Sequence, residues 1–121
     1  MSPMPKYSIP RPDVIRLRHM LDAAREALDF ARGKTEHNIG EDRKLALSLV
    51  KEIEIVGEAA SRISEPTRGQ LPQIPWLDIV DMRNHLIYAY FDVDIGVVLD
   101  TVSKDLPPLV AALVDAIGAD R

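Results

Sequence analysis

The chain contains no cysteine. That absence excludes disulfide frameworks, thiolate zinc sites, iron–sulfur clusters and cysteine nucleophiles together, so any chemistry must come from other side chains. Positive charge is also short: 15 Lys+Arg against 19 Asp+Glu give a formal net charge of −4. A broad, sequence-independent grip on nucleic acid needs the opposite sign, which leaves room only for a local basic cleft. Aromatic residues make up 5% of the chain, too few for extended base stacking, so any RNA would be held mainly through its backbone. No apolar run approaches the roughly 18–20 residues of a membrane span, and the N-terminal MSPMPKYSIPRP lacks the apolar stretch of a signal peptide. The expectation is a soluble cytoplasmic protein without membrane association. Glycine-rich phosphate loops, HExxH and GxSxG are missing, and only three histidines occur, His19, His37 and His85. Metal binding is not expected, and His19 and His37 read as exposed polar residues.

What is present is enough for one domain: 121 residues, 46% of them hydrophobic. Four prolines, Pro3, Pro5, Pro10 and Pro12, make residues 1–12 an extended arm, and residues 13–118 then form a helical domain. Val14, Leu17, Leu21, Ala24, Leu28 and Ala31 recur at helical spacing, with Pro12 and Asp13 in the first turn and Gly33 as a C-terminal cap. A polar stretch, Gly33 to Gly40, ends that helix, and Glu41 and Asp42 place negative charge at the start of the next. Its stripe is Leu45, Leu49, Ile53, Val56, Ala60 and Ile63, and Gly57 inside it, at a cost on the order of 1 kcal/mol relative to Ala, signals close helix contact.

Pro66, Gly69, Pro72 and Pro75 make Ser64 to Pro75 a loop. A third helix runs from Trp76 to about Tyr90, followed by Asp92 or Asp94 as a cap. The last helix carries Ile95, Val98, Val102, Leu106, Leu109, Leu113 and Ile117, with a kink or break near Asp105 because of Pro107 and Pro108. With no sustained alternation of period two, these stripes predict an all-α, four-helix up-down bundle.

Chemistry concentrates in Asp81-Met-Arg-Asn-His-Leu-Ile-Tyr-Ala-Tyr-Phe-Asp-Val-Asp94. On a helix Arg83 and Tyr90 fall about 20° apart, and Asn84 and Tyr88 are an i, i+4 pair, so they make two adjacent rows. Spacing alone also allows a plainer reading, in which the tyrosine rings anchor the bundle and Arg83 pairs with a carboxylate. Glu58 is a carboxylate able to orient Arg83, or one used only for packing specificity.

The segments IVGEAASRIS at 55–64, IPWLDIVDMRN at 74–84, LIYAYFDVD at 86–94 and the later DLPPL resemble the HepT-like branch of the HEPN superfamily. The resemblance runs from about Asp13 to Ile117 and is most specific from Trp76 to Asp94. It implies a homodimeric helical bundle acting as a metal-independent ribonuclease toxin, without cofactor, paired with a MntA-type nucleotidyltransferase antitoxin in a type VII-like system. It further implies that Arg83 and Asn84 open an Arg-x4-His-x-Tyr motif, with Arg83 steadying charge on the scissile phosphate. Tyr90 would be the motif tyrosine, the acceptor of AMP from the antitoxin, and added phosphate charge on the Arg83 face would oppose RNA entry.

The motif histidine would fall at position 88, where this chain has Tyr88. An unperturbed tyrosine, with a pKa of about 10, is ionised only about one part in a thousand at pH 7, so Tyr88 is a feeble general base, though it can donate a hydrogen bond. Three explanations compete: a natural variant with lost or weakened activity, a replacement introduced to permit expression of a toxin, or a site that uses His85. Otherwise His85 is expected to contact Asp81, an i−4 neighbour. Arg83 and position 88 lie about 140° apart on one helix, so two helices meeting at a dyad suit a shared phosphate better than one. A non-catalytic dimer that binds the nucleotidyltransferase, or a purely structural helical dimer, are the readings from other classes.

Overall fold

The computed structural model describes residues 7–88 and 94–118, with the backbone alone at 86–88. The described residues form helices α1 (Arg11–Ala31), α2 (Glu36–Glu41), α3 (Arg43–Ser61), α4 (Glu65–Gln70), α5 (Trp76–Tyr88), α6 (Ile95–Asp100) and α7 (Leu106–Ile117), with a π turn at Thr101–Asp105 joining α6 to α7. The protein is all-α. Among the described residues no helix is long and apolar enough to cross a membrane.

Helix α1 begins one residue before Pro12, whose ring sits in the first turn, where its missing N–H costs nothing. Its buried face is Leu17, Met20, Leu21, Ala23, Ala24 and Ala27, while Val14, Leu28 and Ala31 are only half-buried. The core therefore lies closer to Met20 and Ala27 than the expected stripe. Gly33, at φ +73, turns the chain in the left-handed region that glycine tolerates. Asp13 lies in the first turn as expected and is buried: it accepts hydrogen bonds from the Ser64 N–H and from the Ser64 and Thr67 hydroxyls.

Two segments expected to be loops contain short helices. Helix α2 is held by a reciprocal cap in which the Thr35 hydroxyl accepts from the Asn38 N–H and the Asn38 side-chain Oδ1 accepts from the Thr35 N–H. Helix α4 starts with Pro66 in its first turn and is pinned through Thr67 to Asp13. Beyond it Leu71, Ile74 and Trp76 are buried, and the Trp76 indole N–H donates to the Leu71 carbonyl. Arg68 lies over the Trp76 ring, 5.7 Å from its centroid, and donates to the Ala60 carbonyl at the end of α3. That corner fixes where α5 begins.

Asp42 ends α2 and caps α3 by accepting from the Leu45 N–H, and Asp94 caps α6 through the Val97 N–H. Asp92 lies outside the described residues, as does the end of the third helix beyond Tyr88. The last helix deviates as expected, but through the π turn, in which the Leu106 N–H reaches the Thr101 carbonyl. Pro107 and Pro108 have no N–H for the preceding turn and their rings crowd its carbonyls, and the wider turn gives them room. The row Val98, Val102, Leu106, Leu109, Leu113 and Ile117 stays buried throughout.

Helix α1 packs on α3 and α7, and α5 packs on α3. The α1–α3 pair is antiparallel: Asp13 meets Ser64, Arg16 meets Arg62, and Glu26 faces Glu52. Glu52 is buried, with Oε2 lacking a hydrogen-bond partner among the described residues. Burial, then the neighbouring Glu26 carboxyl, push its pKa up to about 7.

Candidate functional site

Gly57 decides where Arg83 sits. A Cβ placed on Gly57 would lie 2.4 Å from Arg83 Cβ and 3.0 Å from Cγ, so the stem of Arg83 runs directly over the α3 backbone. The close contact expected from a glycine at this point is therefore made by the arginine itself. With its stem half-buried, the guanidinium is gripped from two sides. Nη1 donates to Glu58 Oε2 at 2.5 Å, and Nε and Nη2 donate to Asn84 Oδ1 at 3.3 and 2.9 Å. Three of the five N–H groups of an arginine are thereby engaged, which fixes the plane of the fork and leaves two for a ligand.

Glu58 also accepts from Arg62 Nε at 2.9 Å, one turn along α3. The hydrogen bond from Arg62, opposed by partial desolvation but reinforced by the charges of Arg62 and Arg83, holds the Glu58 carboxyl below its usual range. It remains an anion shared by two guanidinium groups. The structure thus brings together Arg83, Asn84 and Glu58, three residues singled out from the sequence. His85 is exposed, and among the described residues no hydrogen bond or ion pair joins it to the expected partner Asp81. Tyr88 is the last described residue of α5, with its side chain not described, and Tyr90 lies outside the described residues.

Around Arg83 opens a groove of about 610 Å³ between α1 and α3, lined by Pro12, Ile15, Arg16, His19, Lys51, Glu54, Ile55, Glu58, Ala59, Arg62 and Arg83. Reading along the sequence missed Arg16 and Arg62 and set His19 aside as a plain exposed residue. Its exposure is real, but it faces a site. The one signal available was the i, i+3 spacing of Arg16 and His19 on the edge of the α1 stripe; their nearness to Arg83 depends on the antiparallel packing of α1 on α3. A second cavity, about 330 Å³, lies between α3, α5 and the π turn, is mostly apolar and does not include Arg83.

Fold and site together define a small helical protein with a basic groove built round one clamped arginine, an arrangement suited to an anionic ligand. The family model "Ribonuclease HepT-like" matches residues 20–116, and the chain belongs to that family, within the HEPN superfamily. A Methanocaldococcus jannaschii protein, named for gamma-glutamylcyclotransferase and a candidate RNase, is 35% identical over 100 residues, covering 82% of this chain and 45% of the relative. A Thermococcus cleftensis protein named "Probable ribonuclease HepT" is 40% identical over 68 residues, covering 56% of this chain and 62% of the relative. A candidate RNase of Caldanaerobacter subterraneus subsp. tengcongensis is 30% identical over 100 residues, 83% of this chain and 87% of its own length. The chain thus spans about half to two thirds of the first two relatives. No solved structure gives a significant match.

Proposed function

We propose that this chain is the toxin component of a type VII-like toxin–antitoxin pair: a homodimeric, metal-independent RNA endonuclease scaffold whose activity is lost or reduced by Tyr88. The observation that carries the reading is the guanidinium of Arg83, seated on Gly57 and oriented by Glu58 and Asn84 at the mouth of a basic groove. A fork held in one plane, with N–H groups left over, suits the developing charge of a scissile phosphate. Asn84 positions Arg83, and Glu58 supports it. Position 88 is where the family resemblance puts the group that assists attack of the ribose 2′-hydroxyl, and a tyrosine there donates a hydrogen bond but accepts a proton poorly near pH 7. Tyr90 is the acceptor of AMP from a MntA-like nucleotidyltransferase partner, and the added charge blocks phosphate entry to the Arg83 face.

Tyr88 also favours a second reading, a non-catalytic HEPN dimer that keeps the nucleotidyltransferase contact and cuts nothing. The two separate when the protein and Tyr88→His are incubated in parallel with RNA in chelator. Cleavage by Tyr88→His, with little or none by the unsubstituted chain, is the expected result. If neither cleaves, the nuclease reading fails and the binding module stands.

A further inference from the structure

We propose that the groove between α1 and α3 is the path by which an RNA backbone reaches Arg83, with Arg16, His19 and Arg62 holding phosphates along it. This rests on the reading of the chain as an RNA-binding HepT-like protein and adds the residues that would carry the strand.

The charge balance of the groove differs from that of the chain. The net charge is −4 overall, yet five groove residues are cationic or cationisable against two carboxylates, Glu54 and Glu58. Both carboxylates are engaged: Glu58 by Arg62 and Arg83, Glu54 by Lys51 at 3.9 Å. The Glu58 cluster keeps one positive charge in excess. Arg16 adds a guanidinium, partly balanced by the Asp13 carboxylate one turn back; its hydrogen bond among the described residues is a long one, 3.5 Å, to the Arg62 carbonyl. His19 is exposed and contributes ring N–H donor capacity at the same wall. Such a concentration on an acidic protein focuses an anion into one channel rather than over the surface.

Shape agrees with charge. From Lys51 to Arg62 the α3 wall runs about 16 Å at 1.5 Å per residue. Consecutive phosphates of one strand are separated by a full sugar–phosphate repeat, so a wall of that length spans roughly two or three of them rather than one. Ile15, 44% exposed, and the half-buried Ile55 lie between the cations, giving sugar and base faces an apolar strip while the phosphates meet the charged walls.

The test uses the whole protein and a single-stranded, 2′-O-methyl RNA, which lacks the attacking hydroxyl and therefore reports binding without cleavage. Anisotropy titrations at two or more salt concentrations compare the protein with Arg16→Ala, His19→Ala, Arg83→Ala and, on α1 away from the groove, Arg25→Ala, each checked for helicity by circular dichroism. Expected are a roughly fivefold loss for Arg16→Ala with a salt slope shallower by about 0.7, a smaller loss for His19→Ala, and no change for Arg25→Ala. If Arg83→Ala loses binding while Arg16→Ala and His19→Ala bind normally, the path is wrong although the Arg83 reading survives. If the unsubstituted protein binds no RNA, both fail. If the groove variants alter sedimentation of the RNA-free protein but not RNA affinity, the groove is a protein contact and the proposal is overturned.

Discussion

Gly57 tests a competition between helix propensity and steric fit. Replacing a helical glycine by alanine ordinarily gains about 1 kcal/mol. Here the new methyl would meet the base of the Arg83 side chain, not its flexible end, so helix and arginine must part. Overpacking of this kind costs roughly 1–3 kcal/mol, which outweighs the propensity gain. Gly57→Ala should therefore lower the urea midpoint and, in a Tyr88→His background, abolish RNA cleavage. Glu58 separates two effects differently. It is half exposed and its ion pairs contribute little to stability, so Glu58→Gln should leave the melting temperature nearly unchanged. Removing its charge makes the groove more positive while freeing the guanidinium of Arg83. The expected signature is RNA binding as tight as before or tighter, with cleavage slower in the Tyr88→His background.

The seam between α1 and α3 carries its own pH dependence through Glu52. Its folded pKa, about 7, lies above the ordinary value of 4.5, so the folded protein holds an extra proton between those limits. Stability therefore falls as pH rises from about 4.5 to 7. Asp13 works in the opposite sense at lower pH. Burial alone would raise its pKa, but the hydroxyls of Ser64 and Thr67, the Ser64 N–H and Arg16 outweigh that and lower it from 3.8, so its contribution is lost only as acid protonates it. Urea midpoints measured between pH 5 and 7.5 should decline for the native chain and stay flatter for Glu52→Gln. The long helices were legible because their stripes recur every three or four residues. Helix α2 was not, since its cap uses Asn38 where the familiar capping box has Glu or Gln. Helix α4 was hidden by Pro66 and Gly69, and its anchor, Asp13, is 54 residues away from Thr67. Arg83, Asn84 and Glu58 could be found from the sequence because Arg83 and Asn84 adjoin one another and Glu58 follows a conspicuous glycine. Arg16 and His19 could not, because only tertiary packing carries them to the same groove.

Across the chain, net charge is a poor guide to what the groove binds. Asp29 sits about 20 Å along α1 from Arg16, more than twice the ~8 Å Debye length at physiological salt. Asp29→Asn changes the net charge as much as a groove substitution changes it, yet should leave the affinity for single-stranded RNA within about twofold, as anisotropy would show.

The tether from Asp13 to Ser64 and Thr67 lies one turn before Arg16 and just beyond Arg62. By locking that end of the α1–α3 pair it also holds the Arg16 side chain against the Arg62 carbonyl, so the two walls of the groove keep their spacing with or without a ligand. Any ligand that prefers the folded state raises its stability by mass action. The RNA-loaded protein should consequently melt at a higher temperature than the free one, and at RNA well above Kd the fivefold weaker Arg16→Ala should keep most of that increase, losing about 1 kcal/mol of it. On this view the groove makes the protein's persistence depend on its own ligand, with the vacant form the one most exposed to unfolding.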